Sequence, residues 1–101
     1  MTALATKPAA LAQSTAEDIT WGVDVTAQLT TGQTVTFPVV TLRSKTGAPV
    51  ALVDVATVAG NVVRQRIRAG VLTRGTWTLH VLHTPSGTTN ILESVLTIVS
   101  P

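Results

Sequence analysis

The sequence predicts an all-β domain, an antiparallel β-sandwich of six to seven short strands preceded by an extended N-terminal arm. Three observations predict it. From Asp18 onward apolar residues alternate with polar ones at period two, the spacing that sends successive side chains to opposite faces of a strand. Turn-forming clusters recur about every ten residues, as in a sandwich of short strands. The 101 residues include 15 Val and 19 Thr, β-branched side chains that suit a pleated surface better than a helix.

The elements follow in order. Residues 1–16 form the arm: they are Ala-rich, and Leu4 and Leu11 are their only large apolar side chains after Met1, too few to hold a helix to a core. The sandwich proper occupies residues 17–101. Ile19, Trp21, Val23 and Val25 alternate with Asp18, Thr20, Gly22 and Asp24 in a first strand. The break Leu29-Thr30-Thr31-Gly32 leads into a second, in which Val35, Phe37 and Val39 share a face and the pattern runs on to Leu42. Pro38 has no N–H for a ladder, so its position marks an edge or a bulge. Ser44 to Pro49 is turn chemistry, and Val50 to Val58, broken by Asp54, reads as one or two short strands. After Gly60-Asn61, Val63, Gln65 and Ile67 face one way and Val62, Arg64, Arg66 and Arg68 the other. Gly70 and Gly75 bracket a loop, and Trp77, Leu79 and Val81 then alternate with Thr76, Thr78 and His80. The turn Pro85-Ser86-Gly87-Thr88 delivers the last strand, about Asn90 to Val99, with Leu92, Leu96 and Ile98 opposite Ile91, Val95 and Val99. Trp21, Trp77 and Phe37, the only aromatic residues, all fall on apolar phases and are expected in the core.

Composition narrows the function. With 45% hydrophobic and 12% charged residues, the chain is neither a disordered tail nor a histone-like nucleic-acid binder. No apolar run approaches the ~20 residues of a transmembrane helix. The pI near 10 reflects how few groups titrate, since the net charge is only +2. The charges are unevenly placed: residues 1–54 hold Lys7, Arg43 and Lys45 against Glu17, Asp18, Asp24 and Asp54, whereas residues 55–101 hold Arg64, Arg66, Arg68 and Arg74 against Glu93 alone. The absence of cysteine removes thiolate metal sites and cysteine nucleophiles, and fits a reducing compartment or support from a larger assembly. Lys7 and Pro8 interrupt what a secretory signal would keep apolar, and Thr2 stands where N-myristoylation needs glycine.

Little in the sequence carries chemistry. His80 and His83 are three apart on a strand, so they point to opposite faces and do not share a metal ion; a surface imidazole and a strand-end imidazole are expected. The carboxylates form no tight pair beyond the adjacent Glu17 and Asp18, and no hydrolase, zinc-protease or phosphate-loop motif is present. No enzyme activity, cofactor or metal is expected. The arginines are the most informative polar feature. Arg64, Arg66 and Arg68 lie on one face about 6.6 Å apart, with Arg74 in the next loop. Such a row pairs with carboxylates of a partner or with phosphate, or else forms a solvated face whose charges discourage edge pairing. Specific nucleic-acid binding is not expected, because stacking platforms do not accompany the charge.

The order of features from Ile19 resembles that of the small Ig-like accessory and decoration proteins of tailed bacteriophages. The residues that carry the resemblance are Ile19-Thr20-Trp21, Leu29-Thr30-Thr31-Gly32 leading into Thr34-Val35-Thr36, Gly60-Asn61-Val62-Val63, Gly75-Thr76-Trp77-Thr78-Leu79, Thr84-Pro85-Ser86-Gly87 and the closing strand Leu92 to Val99. It covers about four-fifths of the chain. The resemblance implies an Ig-like sandwich without enzymatic activity, made in the host cytoplasm and carried on the virion as a capsid decoration protein. Its expected partner is the major capsid protein or another virion protein, with homo-oligomers as a further possibility. The partner contacts expected are Leu4, Lys7, Pro8 and Leu11 of the arm together with Arg64, Arg66, Arg68 and Arg74. Two alternatives stand beside this reading: a tail, neck or baseplate accessory, and an Ig-like module for host-surface glycan.

Overall fold

The computed structural model describes residues 2–5 and 10–101. They form two sheets enclosing one core, with no α-helix among the described residues and no helix long and apolar enough to cross a membrane. The first sheet contains β1 (Thr2–Ala5), β3 (Ile19–Asp24), β7 (Val62–Ile67) and β6 (Thr57–Ala59), in the order β1-β3-β7-β6. The second contains β2 (Ala10–Ala12), β9 (Leu92–Ser100), β8 (Gly75–Pro85), β4 (Val35–Ser44) and β5 (Pro49–Val50), in the order β2-β9-β8-β4-β5.

The alternation in the sequence is the alternation of burial. Ile19, Trp21 and Val23 of β3 and Val63 and Ile67 of β7 line the inner face of one sheet. Trp77, Leu79 and Val81 of β8 and Leu96 and Ile98 of β9 line the other. The central pairings are antiparallel: Trp21 lies opposite Gln65, Leu79 opposite Leu96, and Leu42 opposite Leu79. The apolar segment 50–58 is split as expected, with β5 and β6 at its ends and the irregular stretch 51–56 crossing between the two sheets. Gly47, at φ +87°, lets the chain reverse between β4 and β5, where its N–H reaches the Ser44 carbonyl at 2.8 Å.

The expected extended arm of residues 1–16 pairs with both sheets where it is described. β1 pairs in parallel with β3, Leu4 opposite Gly22, and β2 pairs in parallel with β9, Leu11 opposite Ile98. The N-terminal segment thus adds an edge strand to each sheet, and Leu11 packs partly buried against the core. The anchor is Gln13, 1% exposed. Its Nε2 donates to the carbonyls of Ile67 (2.9 Å) and Glu17 (3.1 Å), while its Oε1 accepts the Trp21 indole N–H at 2.7 Å. Packed structure therefore begins before residue 17: a buried indole requires an acceptor, and Gln13 supplies it. Lys7 and Pro8 lie outside the described residues.

One expectation is corrected, in β4. Thr36 pairs with Thr84 and Val39 with Leu82, so Phe37 and Pro38 together stand opposite His83. This bulge inserts one residue and inverts the side-chain parity. Val35 points inward before it, and Leu42 is buried after it, with Val40 partly buried in the same phase. Phe37 and Val39, expected inside, are 79% and 54% exposed. Pro38 cannot donate to a ladder, which is the local cause, and Phe37 takes the left-handed backbone conformation at φ +50°.

Candidate interaction surface

The arginine row is where the sequence places it, but it is not a row of free cations. Arg64, Arg66 and Arg68 all emerge on the outer face at β7, alternating with buried Val63, Gln65 and Ile67. Arg66 holds Asp18 through two hydrogen bonds, Nε to Oδ1 at 2.9 Å and Nη2 to Oδ2 at 2.6 Å. Arg68 holds Asp54 in the same way, at 2.8 and 2.9 Å. These hydrogen bonds lower the pKa values of both aspartates and raise those of both arginines. Exposed pairs of this kind add little stability. Their effect here is to neutralise the face, so the expected cationic stripe reduces to Arg64. Arg74 is not gathered with them. It sits on the loop leading into β8 and lines a shallow recess of about 280 Å³ with Lys45, Thr46 and Trp77.

The two histidines do face opposite ways. His80 is partly exposed, with Nδ1 at 3.6 Å from the Glu93 carboxylate. His83, expected at a strand end, is fully buried in phase with Leu79 and Val81. Its Nε2 lies 2.7 Å from Gln28 Oε1. The Gln28 amide nitrogen donates to Glu93 O and Ser94 Oγ, so the oxygen is the atom that faces the ring and His83 Nε2 must donate. That leaves Nδ1 buried and without a partner, and burial lowers the pKa of the ring. Among the described residues, no three His, Asp or Glu side chains gather as a metal site would require.

The outstanding surface feature is apolar. Phe37 and Val39 on β4 are exposed, and so are Val53 and Val55 of the 51–56 stretch, at 78% and 86%. Between β4 and this stretch runs a groove of about 370 Å³, lined by Pro38, Val39, Val50, Leu52, Val55 and Gln65 among others. Gln65, 3% exposed, fixes the far wall, because its Nε2 donates to the Asp54 carbonyl at 2.9 Å. The edge of β4 is open here: β5 covers only Leu42 and Arg43, and among the described residues no strand pairs with Thr36–Thr41 on that side. Period-two reading missed this surface because the bulge inverted the phase. Pro38 was the one visible signal. Trp21 and Trp77, by contrast, are buried as expected, the Trp77 indole N–H donating to Thr73 O at 2.8 Å.

Comparison with known protein families, with curated proteins and with solved structures finds no match.

Proposed function

We propose that the chain is a non-enzymatic structural protein of a bacteriophage particle, an Ig-like capsid decoration protein that binds the outer shell and bridges its subunits. The observation that carries this reading is the apolar groove lined by Val39, Leu52 and Val55 beside an open sheet edge, with Val39 and Val55 exposed. An apolar groove with exposed valines on its walls suits a contact with protein. The order of strand and turn signals supports the same reading through its resemblance to Ig-like virion proteins. Two sheets around one core suit a rigid adaptor. Arg64 and Arg74, which have no carboxylate within ion-pair distance among the described residues, are further candidates for contact with the shell, together with the N-terminal residues. Binding to assembled subunits and not to free ones stabilises the shell by mass action.

Quantitative mass spectrometry and cryo-electron microscopy of purified particles test the proposal. The expected result is chain density on the outer shell at a copy number commensurate with the capsid subunits. A few copies confined to the tail, neck or baseplate would replace decoration with the accessory role. Particles lacking the chain altogether would refute both. For the glycan alternative, Phe37 is the only exposed aromatic side chain among the described residues, since both indoles are buried.

A further inference from the structure

With Arg66 and Arg68 neutralised, the free positive charge of the chain lies elsewhere. Arg43, Lys45, Arg64 and Arg74 have no carboxylate within ion-pair distance among the described residues. All of these but Arg64 lie at one end of the sandwich, on the last residues of β4, the turn that follows it and the loop into β8. Trp77 pairs with Ser44 across β8 and β4, which brings the turn and the loop together. Between them is the recess of about 280 Å³ lined by Lys45, Thr46, Thr73, Arg74, Thr76 and Trp77. No carboxylate lines it among the described residues. Both walls are held from within. On the turn, the Ser44 N–H donates to the Ala48 carbonyl at 3.0 Å, Arg43 Nη1 donates to the Gly47 carbonyl at 3.0 Å, and the Ser44 and Thr46 hydroxyls share a hydrogen bond of 2.9 Å. On the loop, the buried Trp77 indole N–H donates to the Thr73 carbonyl at 2.8 Å. The walls are therefore fixed before any ligand arrives, while the charges of Lys45 and Arg74 remain unpaired.

We propose that this recess is an oxyanion site that binds a phosphate monoester, held by Lys45 from the turn and by Arg74 from the loop. The two cations differ in kind. The guanidinium presents a planar fork of donors, and the ammonium a compact charge with rotatable donors. A carboxylate has two oxygens in one plane, which a single guanidinium satisfies. A phosphate monoester carries about −1.5 to −2 charge and three terminal acceptor oxygens, so it matches both cations and leaves an oxygen for the threonine hydroxyls that line the same recess. A phosphodiester of a nucleic-acid backbone carries a single charge and fits less well. Because the recess is shallow, the group that bears the phosphate stays outside, and the site reads the phosphate itself.

The site goes beyond the shell reading, and its test uses the purified full-length chain alone, so failure of either leaves the other standing. The chain is titrated at constant ionic strength with inorganic phosphate, with glycerol 3-phosphate and with acetate, and amide NMR shifts are followed. Both phosphates are expected to move the signals of Lys45, Thr46 and residues 73–77 and to saturate with Kd on the order of 1 mM. Acetate is expected to bind at least about 10-fold more weakly. Lys45→Gln and Arg74→Gln alter exposed side chains and so spare the fold, which an unchanged urea midpoint checks. Each is expected to weaken phosphate binding by about 10-fold or more, the loss of one charged hydrogen bond. Arg64→Gln, which removes the unpaired cation on the outer face of β7, leaves binding unchanged. Shifts that fail to saturate by tens of millimolar phosphate overturn the inference. So does an equal loss from Arg64→Gln, which would mark general attraction to a basic surface, and so does acetate binding as tightly as phosphate. Binding of inorganic phosphate that glycerol 3-phosphate does not reproduce overturns the monoester.

Discussion

Replacing Gln13 by alanine tests whether the N-terminal segment belongs to the sandwich. The Gln13 amide connects three groups that share no other side chain: the Trp21 indole N–H, the Ile67 carbonyl and the Glu17 carbonyl. Both Gln13 and Trp21 are at most 2% exposed, so water does not reach the indole N–H in place of the lost oxygen. An orphaned buried donor costs about 1–3 kcal/mol, and the two carbonyls add part of their own bonds. The expected total is about 3 kcal/mol, a large share of the 5–15 kcal/mol typical of a domain. For a domain of about 100 residues that corresponds to a fall in Tm of roughly 12–24 °C. Urea unfolding followed by tryptophan emission measures it, and the Trp21 component shifts to the red if the site opens. A double-mutant cycle with Trp21→Phe isolates the bond, with an expected coupling of about 1 kcal/mol or more. A loss under about 0.5 kcal/mol with unchanged emission would refute the packing of residues 10–16 onto the domain.

Three further outcomes follow from the same geometry. His83 is held neutral by burial, its pKa below the ordinary 6.5, so below pH 6.5 the unfolded chain binds a proton that the folded chain refuses. Stability is therefore full above that pH and declines as pH falls toward the folded pKa; chemical denaturation at stepped pH measures the slope, and His83→Leu should flatten it. Phe37→Gly should raise stability by about 1 kcal/mol through release of the left-handed strain, read as a higher urea midpoint. Arg66→Gln should leave the urea midpoint at neutral pH almost unchanged, because the Arg66–Asp18 pair is exposed; a large drop would show that the pair does more than neutralise the face.

The strands were legible because their burial is one-sided. β7, β8 and β9 each bury one set of alternate residues and wet the other, so period two reads directly as inside and outside. The N-terminal strands were not legible, for the opposite reason. Thr2–Ala5 and Ala10–Ala12 are short and Ala-rich, and their backbones are held by pairing along existing edges rather than by an apolar stripe of their own. Gln13 gave no warning either, since a glutamine in a polar-looking segment carries no sign of the indole it will meet. The arginine row was legible as geometry but not as charge: Asp18 and Asp54 are 48 and 14 residues away from their partners in sequence, and only the fold brings them together.

The interaction surface shows how one inserted residue redistributes a whole strand. Without the bulge, β4 would keep the parity of Val35, placing Phe37 and Val39 inward with Val40 and Leu42 outside. The cross-strand register fixes the other solution, because Leu42 must meet Leu79 and Val40 must meet Val81 at the centre of the core. One residue therefore has to be accommodated between Thr36 and Val39, and it falls at Phe37-Pro38, where the missing N–H already interrupts the ladder. The core gains Leu42, fully buried, and the surface receives Phe37 and Val39. Bulges at edges commonly protect a sheet by twisting its rim away from other strands. This one also leaves an aromatic side chain, Phe37, exposed on the rim, one residue before Pro38 in the wall of the groove.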